Sequence, residues 1–425
     1  MGKVLIGLLL FIILLVGCSI WNGGGSSNEY IVKLTKEAES VIQVFEEAGI
    51  KVLDKLTLID AVLCKLKDSD IAFLKHLDIV EYIEPNGTAY ALAAPEPQGL
   101  WEMLAGPTGG LRGLATGEVI PGGVKRVGAN KVWDKTMGLD GVTLAPIKVA
   151  ILDTGISSKV DDLAGKVVGG YNFYGNNDNW EDDNNHGTYI ASVIGARRNG
   201  KGIVGVMPDT EFYAVKVLSS NGRGSYFTII KGLEWISNNS EIELVNISLG
   251  GYSGSKAFKD AVLACAGQGI GCIASAGNDG KTDQGDHLVY PARFGLCISV
   301  GALEVSGARA TFSNYGDMLK KSGVMAPGVY IPAYNKKGDI VNVSGTSLSA
   351  PHVTGAAVML RAKKWCTRKF IFQGSDRYNS PDIYNGHGAI NYPKILEALY
   401  HAAGSSVEDI EAARTSRNAT VVDWR

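Results

Sequence analysis

Short apolar runs alternate with stretches of helical period along residues 147–362, and this alternation constrains the fold more than any other feature. The runs 147–152, 212–217, 244–247, 272–274 and 298–300 have strand length and little polar interruption. Strands of that kind are buried on both faces, as in parallel sheets. Between them, 226–236, 256–266 and 351–362 carry apolar residues at helical spacing. The pattern predicts an α/β fold, a parallel sheet with helices on both faces. Active sites in such sheets collect beyond the carboxyl ends of the strands. The chain is 425 residues long and 45% hydrophobic, which excludes a mostly disordered chain. Its 41 basic and 43 acidic residues give a net charge of −2, so no charge excess points to nucleic acid.

The first 17 residues read as a signal peptide. A short positive start, Met1-Gly2-Lys3, precedes an apolar run over 4–16, too short for a spanning helix of about 20 residues. Leu15-Val16-Gly17-Cys18 resembles the lipobox of bacterial lipoproteins. That resemblance implies export, cleavage before Cys18 and lipid on Cys18 holding the chain at a membrane. The competing reading is an ordinary signal peptide with a chance cysteine. Residues 18–27, ending in WNGGGSS, read as a flexible tether.

Residues 28–90 predict a small ferredoxin-like α+β domain with the order βαββαβ. Its strands are read at 30–34, 51–58, 61–66 and 79–83, and its two helices as capped by Thr35 and Asp68. Residues 91–123, rich in Ala, Gly and Pro, read as a linker, 124–401 as the large domain and 402–425 as a polar tail. Besides Cys18 the chain has Cys64, Cys265, Cys272, Cys297 and Cys366, with no close CxxC pair to suggest zinc or redox chemistry. Cys272 and Cys297 fall in strand-like runs and predict buried free thiols.

Three segments carry chemistry. Residues 149–155, VAILDTG, form a strand ending in Asp153; Asn185-His186-Gly187-Thr188 opens a helix; and 344–352, SGTSLSAPH, is a glycine turn entering a helix, with Pro351 suited to its first turn. Alone, Asp153 reads as a turn cap, His186 as a helix-start residue and Ser347 as an N-cap. Together they supply what a serine nucleophile needs: a base to take its proton and a carboxylate to orient the base. An aspartic protease would need two DTG carboxylates, and the chain has one DTG. A catalytically silent binding module is the remaining alternative.

The order Asp153, His186, Ser347 and the motifs VAILDTGI, HGTYIASVIGA, ISLGGYSGS, ASAGNDG and SGTSLSAPHVTG resemble the subtilisin-like serine proteases, the subtilase family. The resemblance implies a subtilisin-like parallel sheet and a monomeric serine endopeptidase acting on proteins or peptides. It implies catalytic roles for Asp153, His186, Ser347 and Asn278, the last as a side-chain donor to the oxyanion. It places substrate against Gly222, Arg223, Gly224, Ser248, Leu249, Gly250, Ala276 and Gly277, with an apolar or aromatic residue preceding the scissile bond. Val289 falls where many relatives have Gly at the pocket floor. Residues 28–90 resemble the family's inhibitory propeptide, made as part of a zymogen, which would put Tyr90 in that pocket and self-cleavage near Tyr90-Ala91, with Leu92 the next candidate. Structural calcium is implied at Asp162 and Asn199, with Glu118 and the carbonyls of Arg197, Lys201 and Ile203; the acidic loop 176–183 is a second candidate.

Overall fold

The computed structural model describes residues 28–35, 37–92, 117–133, 146–280, 286–362 and 368–402. The signal segment, Cys18, the tether, Cys366, most of the linker and the tail lie outside the described residues.

The N-terminal unit runs β1 (Asn28–Leu34), α1 (Glu39–Glu47), β2 (Lys51–Leu56), β3 (Ala61–Leu66), α2 (Asp68–Leu74) and β4 (Val80–Pro85). Its antiparallel sheet has the order β2-β3-β1-β4. Period-two alternation gives the sheet two apolar faces. Val32, Leu34, Val62 and Leu66 pack with Val41 and Phe45 of α1 and Leu74 of α2. Ile31, Ala61 and Leu63 face the other way, into a cluster shared with the large domain. The caps differ from those expected. Ala38 precedes α1, and the Thr35 hydroxyl instead donates to the Asp78 carbonyl at 3.2 Å. Lys67 is the N-cap of α2, where the Asp70 carboxylate accepts from Lys67 N at 2.9 Å. Asp68 lies inside the first turn.

After β5 (Thr88–Ala91), the large domain contributes β6 (Lys148–Asp153), β7 (Val167–Asn172), α3 (His186–Gly195), β8 (Glu211–Lys216), β9 (Arg223–Ser225), α4 (Tyr226–Ser237), β10 (Leu244–Ile247), β11 (Leu249–Gly250), α5 (Lys256–Gly267), β12 (Gly271–Ser275), β13 (Ile298–Leu303), β14 (Gly323–Pro327) and α6 (Thr346–Ala362). The main sheet has seven strands in the order β14-β13-β12-β10-β6-β8-β7, all parallel. Its strands alternate between two buried layers. Val149 and Ile151 join Ile190 and Val193 of α3 and Val353 and Ala356 of α6. Ala150 and Leu152 join Ile229 and Leu233 of α4 and Phe258 and Val262 of α5. This is the subtilisin-like α/β architecture, with helices on both faces. Cys64, Cys265, Cys272 and Cys297 are buried free thiols.

The N-terminal unit packs on α4 and α5 through Ile31, Leu56, Ile59 and Leu63. Burying such a side chain contributes about 1.5–3 kcal/mol. Glu84 adds a polar anchor at the start of α5. One of its carboxylate oxygens accepts from Ser255 Oγ at 2.6 Å and Ala257 N at 3.1 Å, and the other from Lys256 N at 2.8 Å. A negative charge is favourable at that end of a helix. Asn86 Oδ1 accepts from Phe227 N at 3.0 Å at the start of α4. These contacts set the position of β5.

Candidate active site

Asp153 ends β6 and is fully buried. His186 is the first residue of α3, and its Nδ1 lies 2.8 Å and 2.9 Å from the two Asp153 oxygens. The approach depends on a glycine: a Cβ at Gly187 would stand 2.0 Å from the Gly155 carbonyl oxygen. A carboxylate at Nδ1 fixes the imidazole tautomer that leaves Nε2 free to accept a proton.

Ser347 is the second residue of α6, after Gly345 at φ 150°. The helix therefore begins five residues before Pro351, which lies in its interior rather than its first turn. Proline has no N–H for the carbonyl four residues back. That carbonyl belongs to Ser347, and Ser248 Oγ donates to it at 3.0 Å. Asn246 Nδ2 donates to Ser248 Oγ at 2.8 Å, and the Thr354 hydroxyl donates to Asn246 Oδ1 at 2.8 Å. α3 packs against α6. His186 Nε2 and Ser347 Oγ, both buried, have no hydrogen-bond partner in this structure. The structure thus joins Asp153 to His186 directly and leaves Ser347 outside that hydrogen-bonded pair.

Asn278 follows β12. Its Oδ1 accepts from Thr346 N at 2.8 Å and from the Thr346 hydroxyl at 2.9 Å, which directs Nδ2 away from them. Nδ2 donates to the Leu92 carbonyl at 2.6 Å. Ser347 N is in the first turn of α6, where backbone N–H groups lack intrahelical acceptors.

The expected substrate segments flank β5. The order β11-β5-β9 makes β5 the middle strand of an antiparallel sheet, with Tyr90 opposite Gly250 on one side and Arg223 on the other. Ala91 N donates to the Gly222 carbonyl at 2.8 Å and Leu92 N to the Ser248 carbonyl at 3.2 Å. Tyr90 is 44% exposed, so it does not fill a pocket as expected. Strand alternation turns Tyr90 outward, and Leu92 brings its carbonyl to Asn278. Val289 is buried between two of the expected pocket residues: a Cβ at Gly250 would meet its Cγ2 at 2.5 Å, and one at Gly277 its Cγ1 at 3.0 Å.

The family model described as the Subtilase family matches residues 145–371. Subtilisin J of Geobacillus stearothermophilus is 34% identical over 396 residues, covering 90% of this chain and 94% of that protein. The chain is a subtilase. Subtilisin DY of Bacillus licheniformis is 39% identical over 246 residues, 58% of this chain and 86% of that protein. An alkaline protease of Shouchella clausii is 30% identical over 378 residues, 87% and 89% of the two chains. As a subtilase, the protein is a serine endopeptidase acting on proteins or peptides.

Asp182 carried no signal of its own in the sequence beyond lying in the acidic loop 176–183, as the middle of three consecutive acids, Glu181-Asp182-Asp183. Its carboxylate is buried and receives Thr154 Oγ1 at 2.9 Å, Asn184 N at 2.9 Å, Asn185 N at 3.0 Å, Thr188 N at 3.0 Å and Thr188 Oγ1 at 2.6 Å. It ties the neighbour of Asp153 to the first turn of α3. It also holds Asn185 at φ 147°, backbone strain of order 1–3 kcal/mol for a residue with a Cβ. Asp183 turns outward to Lys216 Nζ at 2.7 Å.

Burial opposes a charged His186 and is the largest single influence on it. The Asp153 charge, the Asp153 hydrogen bond and the Asp182 charge together prevail, so the imidazole pKa is raised above 6.5. A general base must be neutral to act, so a raised pKa moves the acid limb of activity to higher pH. The kcat/KM profile of the active subtilase should therefore have its acid midpoint above 6.5, and Asp182→Asn should move it toward acid. A wild-type midpoint at or below 6.5 would contradict this electrostatic account.

Among the described residues no group of three or more His, Cys, Asp or Glu side chains could hold a metal ion. Calcium also uses amide and backbone oxygens. Asn199 Nδ2 donates to Asp162 Oδ1 at 2.7 Å, and Glu118 Oε1 accepts from Asn199 N at 2.7 Å and Gly200 N at 3.0 Å. The nearby cations turn elsewhere. Arg197 donates to the Asp161 carbonyl at 3.4 Å and Lys201 pairs with the Asp161 carboxylate at 3.7 Å. Two carboxylates and an amide whose rotation presents its oxygen fit calcium in donor type. In both loops amide oxygens are engaged internally: Asn199 Oδ1 accepts from Lys201 N at 3.2 Å, and in 176–183 Asn177 Oδ1 accepts from Asn179 N at 2.9 Å and Asn179 Oδ1 from Glu181 N at 3.3 Å.

Proposed function

We propose that the chain is an exported zymogen whose residues 28–92 occupy its own active site, and that Asp153, His186 and Ser347 form its catalytic triad. The observation that carries this reading is the Leu92 carbonyl held by Asn278 Nδ2 at 2.6 Å, at the end of a strand paired on both edges. Strand addition of this kind is how extended peptides bind. The match to subtilisin J covers 90% of the chain, too much for residues 93–425 alone, and so reaches into the N-terminal unit.

Ser347 Oγ attacks the carbonyl carbon while His186 Nε2 takes its proton, and Asp153 stabilises the imidazolium. Asn278 Nδ2 and Ser347 N donate to the oxyanion. His186 then returns the proton to the leaving amine, giving an acyl-enzyme that water hydrolyses by the same groups. Glu118, Asp162 and Asn199, with the carbonyls of Arg197, Lys201 and Ile203, would hold a calcium ion that ties the start of the large domain to its body. Calcium should raise the thermal midpoint of the purified protein and chelation lower it; an unchanged midpoint rejects the site.

Self-cleavage is placed between Leu92 and Ala93. With lipid on Cys18, the anchor stays on the N-terminal unit after cleavage. No helix among the described residues is long and apolar enough to cross a membrane. N-terminal sequencing of the processed enzyme should begin at Ala93, or further along the linker after trimming. On fractionation the processed large domain should be soluble and uncleaved Ser347→Ala membrane-bound. A Cys18-to-Ser347 chain left unbroken in active wild-type enzyme would sink the zymogen reading.

A further inference from the structure

Tyr90 stands directly opposite Arg223 in the β5–β9 register, two residues before Leu92. Its neighbour Ala89 is fully buried, while the Tyr90 ring remains 44% exposed. The Arg223 guanidinium carbon lies 5.3 Å from the centroid of that ring. A tight turn holds the Arg223 backbone: Ser219 N donates to the Arg223 carbonyl at 2.9 Å, and Arg223 N donates to Ser219 Oγ at 3.3 Å. The cation is thus carried on a rigid edge strand and directed at one side-chain position of whatever peptide lies in the cleft.

We propose that Arg223 is a specificity-determining residue that selects an aromatic side chain two positions before the residue whose carbonyl is attacked, and disfavours a basic one. The inference rests on the reading that residues 88–92 occupy the substrate cleft. A guanidinium over an aromatic face is attracted by the ring quadrupole, by an amount worth about two- to fivefold in affinity at an exposed site. A lysine at the same position loses that attraction and meets a like charge. Backbone pairing at Gly222, Gly224 and Gly250 is indifferent to the side chain, so the preference rests on Arg223.

The test uses enzyme processed from the full-length chain and three peptide anilides, Ala-Xaa-Ala-Leu with Xaa as Tyr, Ala or Lys. For the wild type, kcat/KM should fall in the order Tyr, Ala, Lys, with Tyr over Ala by about two- to fivefold. Arg223→Ala should bring the Tyr-to-Ala ratio close to one. Arg223→Glu should place Lys above Ala. Each comparison is a ratio within one enzyme, so a general loss of activity in a variant cancels. If all three peptides are cleaved and the ratios do not change in either variant, the subsite is overturned while the protease reading stands. If the wild type cleaves none of them, the cleft reading fails and the subsite with it.

Discussion

Ser347→Ala should lower peptide-anilide turnover by on the order of 10⁶, a magnitude that belongs to the nucleophile of subtilisin itself. The same change should leave the fold intact. The hydroxyl removed is buried and has no hydrogen-bond partner, so no other group loses one. The variant should therefore be folded and remain a single chain from its N-terminal unit to its tail. His186→Ala should lose a comparable factor, because nucleophile and base act as a unit. Turnover by purified Ser347→Ala within tenfold of wild type would remove Ser347 from the mechanism. So would processing of that variant at the wild-type rate in the absence of any other protease.

The second large effect concerns Asn278. Replacing it with Ala should cost about 10²–10³ in kcat with little change in KM, again a magnitude that belongs to the corresponding donor of subtilisin. The asymmetry follows from the chemistry, since Nδ2 matters most when negative charge develops on the carbonyl oxygen. Asn278→Ala also strips Thr346 of the acceptor for its N–H and hydroxyl, and some loss could come from that displacement. Asn278→Asp separates the two causes. It keeps an acceptor for Thr346 but replaces the donor with a charged carboxylate oxygen, and should be at least as impaired. An active Asn278→Asp enzyme would assign the effect to Thr346 rather than to the oxyanion.

The central strands were legible because burial on both faces leaves an apolar signature. The edges were not. β7, VVGGYN, is mostly half-exposed and carries two glycines, and β14 starts at Gly323 and ends at Pro327, so neither resembles a buried run. Asp153, His186 and Ser347 could be singled out because each lies at an element end with its own local pattern. Asp182 could not, since nothing local says which of three adjacent acids, 181–183, turns inward; three-dimensional donors decide that. The start of α6 was misread because Pro351 suggests a first turn. The helix tolerates Pro351 in its interior because Ser248, distant in sequence, takes the orphaned carbonyl. Tyr90 was placed in the pocket because the resemblance implied an aromatic or apolar residue there and the propeptide was read as ending at residue 90. The sequence alone does not say which carbonyl of the segment reaches Asn278, and it is that of Leu92, two residues further on.

Besides receiving Asn246 Nδ2, Ser248 reaches both the β5 segment and the start of α6. Its carbonyl receives the N–H of Leu92 and its hydroxyl holds the carbonyl of Ser347. The β5 segment and the turn that carries Ser347 thereby share one anchor. One residue thus joins the segment in the cleft to the turn that carries Ser347, at the place where a proline denied the helix its own hydrogen bond.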